Sequence, residues 1–201
     1  DKLMQALNEM KHRIRAVLEE TDGRIRAARE GRLEARGNES AFSGGWQELV
    51  RGVNNLMDAF VTPISTTAAY IERISRGDIP EKITDNYKGD FNEIKNNLNT
   101  LIHAMNKATR LAEGIAGGDL DTDIRMRSES DKLMHALILM KRRISDVLGE
   151  TDGLIHAVQE GRLDVRGNAE EFAGVWRDLV TGVNRVIDAF VSDWNRRCQA
   201  A

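Results

Sequence analysis

The feature that most constrains this chain is that it repeats itself. Residues 1–61 open "DKLMQALNEMKHRIRAVLEETDGRIRAAREGRLEARGN", and residues 131–191 open "DKLMHALILMKRRISDVLGETDGLIHAVQEGRLDVRGN"; the two stretches agree at 37 of 61 positions. Self-similarity of this strength signals an array of structural units. A finer period lies inside the long one. "EGRL", "RGDI", "GGDL" and a second "EGRL" place glycines at Gly31, Gly77, Gly118 and Gly161, spaced 46, 41 and 43 residues apart. Each glycine follows a helical pattern and precedes a polar stretch, after which a second helical pattern begins. The unit is helix, connector, helix, and about four are present. The chain opens on a second-helix pattern, Leu3, Leu7 and Met10, so it reads as a piece of a longer array that starts inside a unit.

After each connector the same apolar spacing returns: Leu49, Val53, Leu56; Ile94, Leu98, Leu101; Leu133, Leu137, Met140; Leu179, Val183, Val186. Steps of four then three make a narrow a/d seam, the spacing of a coiled coil rather than of a broad globular face. In the second unit the seam continues through Met105, Ala108, Ala112 and Ile115, so the second helix of one unit is expected to run into the first helix of the next. At Leu56, Phe60, Ile64 and Ala68 the steps become four and four, a stutter that locally unwinds a left-handed supercoil. A similar phase shift falls at Ile144–Leu148. Thr62 and Pro63 read as an N-cap and a first-turn proline that reset the helix. With only 2 Pro and 5% aromatic residues, the expected class is all-α.

A two-helix unit of this size cannot bury its seam alone. Two copies in parallel would place four helices around one core, and a connector joining two helices that point the same way must then run along the bundle. That requires anchors. Ile79 with Ile83, and Leu120 with Ile124, have the spacing to fill the groove between helices; Leu33 and Leu163 stand at the matching place in the first and last units. Gly31, Gly77, Gly118 and Gly161 let the backbone leave the preceding helix in a left-handed conformation. Glu48, Glu93, Asp131 and Asp178 lie near second-helix starts, where acids favour the helix dipole.

Other functions find little support. A net charge of −3 without a Lys/Arg cluster offers nucleic acid no basic surface. The single Cys198 precludes an intrachain disulfide framework. No apolar run approaches the roughly 18 residues that span a bilayer, so direct membrane insertion is not expected. His12, His103, His135 and His156 are scattered without metal-ligand spacing, and no phosphate-cradling Gly-Lys-Ser/Thr loop or nucleophile pattern occurs. The reading is of a chain without catalytic, cofactor or metal residues.

The Gly-Asp-aliphatic connector and acid-led second helix resemble the HAMP domain of bacterial sensor proteins. The match is strongest at 62–106, with Pro63, "RGDIPEKI" and "GDFNEI", and nearly as good at 107–145, with "AGGDLDTDI" and "SDKLMHAL". Segments 17–61 and 146–191 look like a divergent type: the second aliphatic falls at Ala35 or Val165, a Gly-Asn turn follows, and Phe42 with Trp46, or Phe172 with Trp176, replaces the usual anchors. Residues 1–16 would be the second helix of a further unit and 192–201 a tail. The resemblance implies an elongated parallel homodimer, a four-helix coiled coil of tandem units. It would relay conformational change between adjacent sensor and output domains on the cytoplasmic side of the bacterial inner membrane. The run from Tyr70 to Asn99 looks most like arrays in methyl-accepting chemotaxis proteins. Poly-HAMP hybrid histidine kinases, and a passive dimeric coiled-coil spacer, are the alternatives.

Overall fold

The computed structural model describes residues 2–199; Asp1 and the last two residues of the expected 192–201 tail lie outside the described part. Among the described residues the chain is all-helical: α1 (Lys2–Arg29), α2 (Gly45–Ser75), α3 (Gly89–Ala116), α4 (Lys132–Gln159) and α5 (Val175–Gln199), with 3-10 turns at Glu39–Ala41 and Ala169–Glu171 and no strand. It divides into two compact units, Asp1–Met105 and Asn106–Ala201.

In the first unit α2 and α3 run the same way. Phe60 meets Phe91 edge to face, ring centroids 5.8 Å apart, while further along both helices Tyr70 and Ile74 pack with Leu98 and Ile102. The connector between them supplies Ile79, Ile83 and Tyr87 to that cluster. The second unit repeats the arrangement. Val147 of α4 packs with Val180 of α5, and further along, Leu154, Ile155 and Val158 share a groove with Val183 and Ile187. Its two clusters are Ala108, Leu111, Ile115, Met134 and Leu137, with Leu120, Ile124 and Ile144 against them, and Val147, Phe172 and Val180. Each large side chain removed from water in this way contributes about 1.5–3 kcal/mol.

The helices leave for their connectors in one fashion. At Gly77 (φ 83°) the Gly77 amide bonds to the Ile74 carbonyl and the Asp78 amide reaches back to Arg73, both orphan carbonyls of the last turn being satisfied. Gly118 (φ 88°) does the same with Ile115, as Asp119 does with Gly114. A β-carbon would be strained in that conformation.

One expectation is corrected. Thr62 and Pro63 do not start a helix: α2 runs through Pro63 without a break, and Pro63 is buried. The cost of a proline in a helix interior is a lost donor and a clash with the preceding turn. Here the Pro63 ring is itself buried, which offsets part of that cost.

Candidate functional site

The repeated seam does not behave as one continuous stripe. In each triplet the outer two residues are exposed and the middle one turns inward. Leu49 and Leu56, Ile94 and Leu101, Leu133 and Met140, Leu179 and Val186 are all open to solvent, whereas Leu98 and Leu137 are buried and Val53 and Val183 half-buried. Leu98 packs on Ile83 and Ile102; Leu137 packs among Ala108, Leu111 and Met134. The exposed residues continue into apolar grooves. One of about 270 Å³ is lined by Pro63, Ile64, Ala68, Ile71, Phe91 and Ile94. A second of about 220 Å³ lies between α4 and α5. Exposed apolar surface on this scale, with polar faces beside it, marks an interaction surface.

The connector anchors are placed less uniformly. Ile83 is buried; Leu33, Ile79, Leu120, Ile124 and Leu163 are half-buried. Gly31 and Gly161 occupy the same left-handed helix-end position as Gly77 and Gly118. In the segment 146–191 the connector buries Phe172; its counterpart Phe42 is half-buried. Trp176 remains exposed.

What sequence reasoning missed is the polar half of the connector's attachment. The Asn99 side chain accepts from the Ile83 amide at 2.8 Å and donates to the Ile83 carbonyl at 3.0 Å. Asn54 does the same for Gly37, at 2.7 and 3.0 Å, and Asn184 for Gly167, at 2.8 Å each way. A carboxamide carries a donor and an acceptor side by side and can satisfy both backbone groups of one residue at once. A signal was present: an Asn follows the middle seam residue in three of the four triplets, after Val53, Leu98 and Val183.

The connectors at 17–61 and 146–191 carry more. Arg36 donates to the Leu33 and Ala35 carbonyls at 2.7 and 3.2 Å and bonds Asp58 on α2. Arg166 repeats this with Leu163, Val165 and Asp188. In the unit at 107–145 the comparable polar contact is at the end of the connector. Asp131 is buried and caps α4 by accepting from the Met134 amide, while Arg127 grips it through two guanidinium nitrogens at 2.6 and 2.8 Å. The Arg127 hydrogen bond is the main reason the Asp131 carboxyl is held well below the usual carboxylate range; burial opposes this and the backbone amides assist. Glu48 and Asp178 lie in first helical turns.

The described residues hold no cluster of metal-ligating side chains, and no helix is long and apolar enough to cross a membrane. The apolar faces and the clamped connectors are features of a packing device, with no arrangement for bond chemistry among them. No solved structure matches the chain. Residues 41–107, from the end of the first 3-10 turn into α3, match the HAMP domain family model, a family of signal-transducing linkers.

Proposed function

We propose that the chain is a tandem HAMP array, with units at 17–61, 62–106, 107–145 and 146–191. In this reading it pairs in parallel with a second copy of itself and passes conformational change from a sensor domain to an output domain of a bacterial chemoreceptor. The observation that carries the reading is the split seam. The middle residues Leu98 and Leu137 hold each protomer's own connector, while Leu49, Leu56, Ile94, Leu101, Leu133, Met140, Leu179 and Val186 face outward. A second copy offering the same stripe would cover them around a common four-helix core. The array would lie on the cytoplasmic side of the membrane. A core with two near-equal packings can be biased by a small displacement of its neighbour, and stacked units would hand the bias along.

The test is disulfide crosslinking in a Cys198→Ser background. Leu101→Cys is expected to crosslink rapidly and the neighbouring exposed Thr100→Cys slowly; equal rates would refute the parallel pairing. To separate relay from spacer, a disulfide at Met10→Cys is then formed first. A relay changes the crosslinking rate at Leu179→Cys, whereas an unchanged rate would leave only a spacer.

A further inference from the structure

Each of the four connectors follows a left-handed helix-end glycine, yet one is attached differently. The position after the middle seam residue is Asn54, Asn99 and Asn184 in three units and Ile138 in the fourth. Each asparagine holds both backbone groups of one connector residue: Gly37, Ile83 and Gly167. The connector residue equivalent to Ile83 in the 107–145 unit is Ile124. Among the described residues, neither its amide nor its carbonyl has a hydrogen-bond partner. Ile124 and Ile138 instead flank an open groove of about 260 Å³ with Asp123, Lys141 and Arg142. Ile138, which lines this groove, stands at the sequence position of the clamping asparagines.

The polar ties of this connector are confined to its flanks, where Leu120 also packs on the helix cluster. Asp119 closes a turn on the Asp121 and Thr122 amides and the Thr122 hydroxyl. Lys141 reaches the Thr122 carbonyl at 2.7 Å, and Arg127 grips Asp131 at the far end. Between these ties only the Ile124 side chain, half-buried against the Leu111–Leu137 cluster, fastens the segment. An apolar contact without a directional bond permits sliding that a two-point backbone clamp forbids.

We infer that the connector of residues 117–131 is the one released joint of the array: it detaches and reseats independently of its helices, while the connectors held by Asn54, Asn99 and Asn184 move only with theirs. This stands whether or not the relay reading holds, because it concerns the attachment of one segment within one protomer.

Amide hydrogen exchange on the intact 201-residue chain, resolved by NMR, tests it. The Ile83, Gly37 and Gly167 amides are expected to be protected and the Ile124 amide to exchange about tenfold faster or more, the effect of one or two net hydrogen bonds. Ile138→Asn is expected to slow exchange at Ile124 and leave Ile83 unchanged. Asn99→Ile is expected to speed exchange at Ile83 towards the Ile124 rate. Wild-type protection at Ile124 equal to that at Ile83 would overturn the inference without any variant. So would an Ile138→Asn chain in which Ile83 stays protected and Ile124 exchanges as before.

Discussion

The segments 17–61 and 146–191 use almost the same residues to fasten a connector, and they differ inside it. In both, a glutamate on the first helix accepts from the connector asparagine, Glu20 from Asn38 at 3.0 Å and Glu150 from Asn168 at 2.6 Å. In both, an asparagine clamps the glycine and an arginine wraps the turn. But where the later copy has Leu154, buried, the earlier one has Arg24. Arg24 donates to the Arg36 carbonyl at 2.6 Å and meets Glu20 at 3.0 Å, and its Nε is buried without a partner. The later copy also closes an apolar cluster around Phe172, while Phe42 is only half-buried. The same hydrogen-bond frame thus encloses packing in one copy and a charge in the other. A buried donor without a partner costs about 1–3 kcal/mol, so sequence identity at the frame does not make the two copies equally stable.

The comparison is sharpened most by deleting the aromatic rings. Phe172→Ala should destabilise its copy by about 3–4 kcal/mol, in the range for large core truncations, and Phe42→Ala by roughly half as much. Urea unfolding followed by the fluorescence of Trp176 alone or Trp46 alone reads each copy, and equal losses would break the distinction. Next come the clamps. Asn184→Ala and Asn54→Ala each strand two backbone groups, at about 2 kcal/mol apiece; Asn54→Ala should cost slightly more, because Asn54 also donates to Glu39 at 2.9 Å. The smallest effect is a gain. Arg24→Leu should raise the unfolding free energy read at Trp46 by about 1 kcal/mol, the unpartnered Nε being removed. A loss would mean that the Arg36 carbonyl bond outweighs the buried donor.

Much of this was legible in the sequence. Four-three spacing located the helices because an a/d period is a direct imprint of helical geometry. The all-α class followed from it, and so did the family resemblance at 62–106, which the HAMP match at 41–107 covers. The polar attachment was less visible. Asn54, Asn99 and Asn184 sit beside seam residues on otherwise polar faces, where an amide reads as solvated surface until its partner is known. That partner is 16 or 17 residues away, on a segment with no period of its own. Pro63 was misread for a related reason. A proline can mark a helix start, but it is also tolerated inside a helix whose hydrogen-bond ladder continues on both sides, as α2 does from Gly45 to Ser75.

That proline has a mechanical consequence. Because Pro63 has no amide hydrogen, the Ala59 carbonyl lacks its donor four residues on, and one rung of α2's ladder is missing. The Thr66 and Thr67 hydroxyls bond back to the Thr62 and Pro63 carbonyls at 3.0 and 2.8 Å, crowding the next turn. A rod with one rung removed keeps its stiffness under axial push and twist, where the remaining bonds share the load, and loses it in flexure towards the open side. Residues 59–67 are thus a compliant segment in an otherwise stiff 31-residue helix. A sideways displacement at one end of α2 is expected to be taken up there as curvature.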